Sequence, residues 1–225
     1  MKLKLLALSC CLAAAFTAQA QTTEVAQPEN KTYKPTAGDI TTEVAVNLEY
    51  GISLNRGGIR VRKFIAADKA YRLGAQANYV YDKTGDESYQ TTFGISIAPG
   101  IEKHFAGTSR LSPYIGAELP IGYRGTKSES ASQITKGSWT PASGCSAGNR
   151  ANYNIGLNGL AGVDYYIAPR FYAGFELGAG IRYSKEKDVT TTYKNDYTPD
   201  EEYKGYHSIS FSPFSTGGIR LGFVF

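Results

Sequence analysis

The chain has 225 residues and a formal net charge of +4, with 25 Gly, 17 Tyr and a single Trp and Met. That length suits one domain or two small ones, and the basic residues are spread rather than clustered, which argues against a nucleic-acid partner. No stretch after the N-terminus is long and apolar enough for a membrane helix, but a membrane barrel needs none, because only alternate residues of its strands face lipid.

Met1 to Ala20 has the form of a secretory signal peptide: Lys2 and Lys4, an apolar run from Leu5 to Phe16, and Ala18-Gln19-Ala20 as a small-residue cleavage motif. Ser9-Cys10 offers a lipid-attachment alternative. Ala7 rather than an aliphatic stands three places before Cys10, however, and the apolar run continues past it. Cleavage after Ala20 removes Cys10 and Cys11, leaves Cys145 alone and excludes an internal disulfide. Residues 21–39 are polar, contain Pro28 and Pro35 and lack periodicity, so a flexible periplasmic segment is expected there. Residues 40–225 are expected to form the folded domain.

From Thr41 onward the sequence alternates with period two, the signature of strands with two unlike faces. Strand one, Thr41 to Leu54, sets Val44, Val46, Leu48, Tyr50 and Ile52 against Glu43, Asn47 and Glu49. The turn Asn55 to Gly58 leads to strand two, Ile59 to Ile65, with Arg60, Arg62 and Phe64 on the polar side. Strand three, Ala70 to Asp82, sets Tyr71, Leu73, Tyr79 and Tyr81 against Arg72, Gln76 and Asn78. After a polar loop over Lys83 to Tyr89, strand four, Gln90 to Phe105, sets Phe93, Ile95, Ile97 and Ile101 against Thr92, Ser96, Glu102 and His104. Strand five, Leu111 to Arg124, carries Tyr114, Glu118 and Arg124 on its polar face. A long segment rich in Ser, Gly and Lys, Gly125 to Arg150, precedes strand six, Ala151 to Ile167, which sets Tyr153, Ile155, Val163 and Tyr165 against Asn154, Asn158 and Asp164. Strand seven, Phe171 to Ser184, sets Phe175, Leu177 and Ile181 against Glu176 and Arg182. The charged loop Lys185 to Tyr206 leads to the last strand, Ser208 to Phe225, with Arg220 on its small and polar face.

Eight strands result. Their even-numbered connections are short and the third, fifth and seventh are longer, as in outer-membrane barrels with short periplasmic turns and longer outer loops. The first connection is short where a long one is expected, which leaves a low point on the rim. The polar faces carry Glu43, Glu49, Glu102, Glu118, Asp164 and Glu176 together with Arg60, Arg62, Arg72, Arg124, Arg182 and Arg220. Pointed outward, that face would give a solvent surface almost devoid of lysine, which is unusual for a soluble protein. Pointed inward, the guanidinium forks meet carboxylates in a narrow lumen. Outward charges are confined to Lys63 and Lys103, each beside a short turn where a lysine reaches the interface. Aromatic residues gather near both strand ends: Tyr50, Tyr79, Tyr81, Tyr123, Tyr153 and Tyr183 at one, and Tyr71, Phe105, Tyr165, Phe171, Phe223 and Phe225 at the other.

The expected fold is all-β, an eight-stranded antiparallel up-and-down transmembrane β-barrel. Over nearly all of Thr41 to Phe225 the chain resembles the small eight-stranded bacterial outer-membrane proteins of the OmpA and OmpX kind. The most specific piece is the last strand, ending in Ile219, Leu221, Phe223 and Phe225 at alternate positions. The resemblance implies that these four residues are the signal read by the barrel-assembly machinery, and that outer-membrane lipid and lipopolysaccharide surround the protein.

An eight-stranded barrel is just wide enough to be filled by its own side chains, so a charge-filled lumen is expected and a narrow solute pore is the alternative. The family also includes lipid A-modifying enzymes, which need a nucleophile and a base on one face near the outer rim. His207 and Ser208 fall on opposite faces, and His104 lies near the turn end, so no catalytic residue is assigned. Asp188, Asp196, Asp200, Glu201 and Glu202 are mixed with Lys185, Lys187, Lys194 and Lys204 without the tight spacing calcium requires, and neither metal nor cofactor is expected. Those lysines could meet lipopolysaccharide phosphates. The expected role is non-enzymatic and lies in the outer loops, as adhesion, recognition of an extracellular ligand or envelope integrity.

Overall fold

The computed structural model describes residues 32–47, 53–54, 58–215 and 218–225. The expected signal peptide, residues 21–31, and Leu48, Glu49, Tyr50 and Ile52 lie outside the described residues.

Eight staves close into a ring. In order they are β1 (Ile40–Asn47), β3 (Gly58–Ala66), β4 (Lys69–Gly85), β5 (Ser88–His104), β6 (Leu111–Glu118) continued by β7 (Ile121–Glu129), β9 (Asn152–Ala168), β10 (Phe171–Glu186), and β13 (His207–Ser215) with β14 (Gly218–Val224). The ring shuts where β1 pairs antiparallel with β14, from Thr41 opposite Val224 to Asn47 opposite Gly218. Closure removes the exposed edges that an open sheet would present. The faces are inverted relative to a soluble barrel. On β5, Ile95, Ile97 and Ile101 are exposed while Glu102 and His104 are buried. Phe171 packs on Phe223 at the turn end, and Tyr123 on Tyr153 near the loop end, both at 4.9 Å between ring centroids.

Pro120 lacks an N–H and interrupts the ladder between β6 and β7, yet the register is kept on both sides. Glu118 faces Asn158 and Ile121 faces Ile155, while on the other flank Gly100 faces Glu118 and Ile97 faces Ile121. The pair therefore acts as one stave.

Four expectations need correction. Ser53 and Leu54 do not continue the first strand (Ile40–Asn47 among the described residues) but form β2 (Ser53–Leu54), which pairs antiparallel with Val46 and Asn47. The polar stretch Lys83 to Tyr89 is not a loop. β4 and β5 continue through it as strands of 17 residues each, turning only at Asp86 and Glu87, because polar side chains cost nothing on a ladder that has risen into water. The last strand does not keep one register against β10: it shifts by two residues, with Leu177 opposite Ser215 but Gly174 opposite Arg220. Finally, the two long outer connections contain sheet. β7 runs on to Glu129 and pairs with β8 (Gln133–Lys136), β8 pairs with β11 (Val189–Tyr193), and β11 pairs with β12 (Glu201–Tyr203). β-Branched runs drive this, and Thr135, Val189 and Thr191 are fully buried within it.

Residues 32–39 lie against the turn end of the barrel. Tyr33 packs on Tyr166, Tyr172 and Val224, and Pro35 is buried.

Candidate functional site

Inward positions on all eight staves converge on one cluster in the lumen. Period two turns Arg60 and Arg62 of β3, Arg72 of β4 and Arg220 of β14 to the same interior as Glu43 of β1, Glu102 of β5, Glu118 of β6, Asp164 of β9 and Glu176 of β10. Arg62 donates through Nη1 to Asp164 Oδ2 at 2.7 Å and Glu102 Oε2 at 3.1 Å, and through Nε to Thr41 Oγ1 at 3.2 Å. Arg72 reaches Glu176 Oε2 at 2.8 Å and Glu102 Oε1 at 3.0 Å through Nη1, and lies 3.2 Å from Glu118 through Nη2. Arg220 Nη1 is 3.0 Å from both oxygens of Glu43, and its Nη2 is 3.2 Å from Asp164 Oδ1. Arg60 closes the set on Glu43 at 2.9 Å. Arg62, Arg72, Arg220, Glu102, Asp164 and Glu176 have no exposed side-chain surface, so these charges are compensated by one another rather than by bulk water.

Such side chains need room, and inward glycines on adjacent staves supply it. A Cβ on Gly174 would collide with Asp164 and Arg220, and one on Gly222 would enter the Tyr172 ring. Two tyrosines and a histidine complete the layer. Tyr114 donates to Glu176 Oε2 at 2.6 Å, and Tyr172 donates to Glu43 Oε2 at 3.1 Å. The Arg62 guanidinium sits 5.0 Å from the Tyr172 ring centroid, within cation–π range. Toward the turn end His104 bonds Glu102 through Nε2 at 3.1 Å and Ser112 through Nδ1 at 3.0 Å, and its ring lies against Phe64 and Tyr114.

Nine of the twelve charged residues expected in the lumen are thus joined: Glu43, Arg60, Arg62, Arg72, Glu102, Glu118, Asp164, Glu176 and Arg220. Arg124 is not part of the cluster. It stands higher and donates to the Arg150 carbonyl at 3.0 and 2.7 Å. Arg182 is exposed and forms no ion pair with a described residue. Glu49 lies outside the described residues. Tyr166, Tyr172, Thr41 and Ser112 were not picked out from sequence, although the same alternation that selects Arg62 and Glu176 turns them inward. Of the residues expected to signal assembly, Ile219, Phe223 and Phe225 are exposed and Leu221 is half-buried.

Above the cluster, toward the loop end, lies a cavity of about 140 Å³ lined by Gln76, Asn78, Ser96, Arg124 and Asn154. The connection after β8 leans over this level, where the Trp139 indole donates to Thr92 Oγ1 on the inner face of β5 at 2.6 Å. Arg150 ties the two outer connections together. It donates to the Lys204 carbonyl at 3.0 Å, lies 2.7 Å from Cys145 Sγ and covers the Tyr206 ring. Glu129 joins the same two connections through Lys194 and also pairs with Lys127 of its own strand, and the two ammonium groups hold its carboxyl below the usual range. Among the described residues no group of His, Cys, Asp or Glu has the arrangement of a metal site.

Residues 40–225 match the model of the OmpA-OmpF-like porin family. No curated protein matches the chain. Among solved structures, the chain is similar to the N-terminal β-barrel domain of Pseudomonas aeruginosa OprF, with 16% identity, a TM-score of 0.43, and coverage of 85% of this chain and 100% of that one. It is also similar to Ail, the attachment invasion locus protein of Yersinia pestis, with 16% identity, a TM-score of 0.36, and coverage of 83% and 95%.

Proposed function

We propose that this chain, which belongs to the OmpA-OmpF-like porin family, is an outer-membrane barrel closed at its waist that acts through its outer loops. The observation that carries this reading is the ion-pair cluster. Four guanidiniums from three staves bridge carboxylates on five others, across a lumen that eight strands make only wide enough for side chains. A solute crossing at that level would have to separate buried charge pairs, each costly to break.

The loop end supports the same reading. Short turns mark the periplasmic side of such barrels and longer connections the outer side, which supports reading the sheet of β7, β8, β11 and β12 as the outer face. Tyr203 of β12 and Tyr197 in the connection between β11 and β12 face solvent together with mixed charge, a surface suited to adhesion, recognition or contact with lipopolysaccharide. Hydrolysis or acyl transfer is disfavoured by position. Ser112, His104 and Glu102 stand in nucleophile, base and acid order, but all three are buried, and Glu102 is shared with Arg62 and Arg72. His207 stacks on Tyr183 on the outer face, away from Ser208 and Ser210.

A gated narrow pore is the second reading, favoured by the cavity above the cluster. Planar-bilayer recording on the purified full chain separates the two. Silence at moderate voltage supports the closed barrel, and steady single-channel steps support the pore.

A further inference from the structure

The turn end of the barrel carries a strap that crosses its mouth. Residues 33–39 lead into β1 at Ile40, but Tyr33 and Lys34 lie at the turn before β6. Around the ring, β1 and β6 are separated by β3, β4 and β5 on one side and by β14, β10 and β9 on the other. They are opposite staves, so the strap spans the opening.

It is pinned at both ends. At the far end the Tyr33 ring rests on Tyr166, Tyr172 and Val224, its hydroxyl accepts from Arg110 Nη2 at 2.9 Å, and the Arg110 guanidinium lies 4.3 Å from its ring centroid. Lys34 Nζ donates to the Ala106 carbonyl. At the near end Gly38 N donates to the Phe64 carbonyl at 2.8 Å, and Phe64 N donates to the Asp39 carbonyl at 2.9 Å. Between them Asp39 accepts from Thr36 N at 2.7 Å, which folds the strap into a tight turn, and Gly38 takes φ +101°, a conformation that favours glycine. Tyr166, Tyr172 and Phe64 are the floor directly beneath the ion-pair cluster, so the strap covers that floor rather than the outer wall.

We propose that Tyr33 to Asp39 form a periplasmic lid, a second barrier in series with the ion-pair cluster. This inference rests on the closed-barrel reading. Two barriers in series make a definite forecast: opening either one alone leaves the barrel closed, and only opening both creates a conducting path.

The test uses the full chain in planar bilayers in four forms. These are the parent, Tyr33→Ser with Lys34→Ser to release the lid, Arg72→Ser with Glu176→Ser to thin the cluster, and the four substitutions together. The lid predicts at least tenfold more conductance from the combined variant than from either pair alone. Equal conductance from the cluster pair and the combined variant overturns it, as does a silent combined variant. A parent that already conducts defeats the closed-barrel reading itself, and so is distinguishable. If the cluster pair does not fold, hydrogen exchange decides. The Gly38 and Phe64 amides of the parent should exchange at least tenfold more slowly than in Tyr33→Ser with Lys34→Ser. Equal rates would show that the strap does not close the mouth.

Discussion

The Tyr114 hydroxyl lies 2.5 Å from Arg220 Nη2, although the two residues belong to staves that do not touch along the wall. Tyr114 stands on β6 and Arg220 on β14, and the same hydroxyl donates to Glu176 on β10. One phenol therefore couples three staves through the lumen. Replacing it with Phe keeps the ring and deletes the bond. Tyr114→Phe should cost about 1–3 kcal/mol, the penalty of leaving buried partners less satisfied. Urea titration of the refolded barrel in detergent measures this, and an unchanged midpoint would mean that water substitutes for the hydroxyl.

Charge position should matter more than charge number. Glu176→Gln removes one carboxylate partner of Arg72, which keeps Glu102 and Glu118, and breaking a buried charge pair costs about 3–5 kcal/mol. Glu202→Gln, in an exposed outer pair with Lys204, should change stability by about 0–1 kcal/mol. Small and equal effects at both positions would show a water-filled lumen and remove the basis of the closed-barrel reading.

Inward glycine is the least tolerant small residue of this fold. Gly222→Val would drive a side chain into the Tyr172 ring, an overpacking that costs about 1–3 kcal/mol or more. Gly159→Ala, where an added Cβ meets only the Ala179 carbonyl at 3.9 Å, should be silent. Heat-modifiable migration on gels reports both. Comparable loss of the folded band for the two would mean that glycine acts there through strand propensity rather than through space.

Most of the wall and much of the cluster were legible in sequence because alternation carries both. A residue two places from Arg62 or Glu176 must face the same way, and this holds from Arg60 to Phe64 without knowledge of any partner. The missing pieces have physical causes. Tyr166 and Tyr172 lie among outward aromatics such as Tyr165 and Phe171, so composition hides what parity reveals. Pairing between loops depends on contacts remote in sequence: Thr191 of β11 meets Thr135 of β8, with hydroxyls 3.3 Å apart. The β-branched runs around Ile134 and Thr190 were the available signal, masked by the flanking Ser, Gly and Lys. The strap was least legible, since nothing local in Tyr33 to Asp39 foretells Arg110 as its partner.

The outer connections supply the last prediction. Arg150 is buried where they meet, and its guanidinium holds Cys145 on one side and the Lys204 carbonyl on the other. If these connections lie outside the cell, a membrane-impermeant maleimide added to intact cells should modify Cys145. Arg150→Ala removes the group packed against the sulfur and should speed that reaction several-fold, and because Arg150 shares no partner with the waist cluster, its effect on urea stability should add to that of Glu176→Gln within about 0.5 kcal/mol, as expected for distant sites. Labelling that appears only after the outer membrane is disrupted would reverse the orientation. An unchanged rate in Arg150→Ala would mean that the loop backbone, and not the guanidinium, shields the thiol.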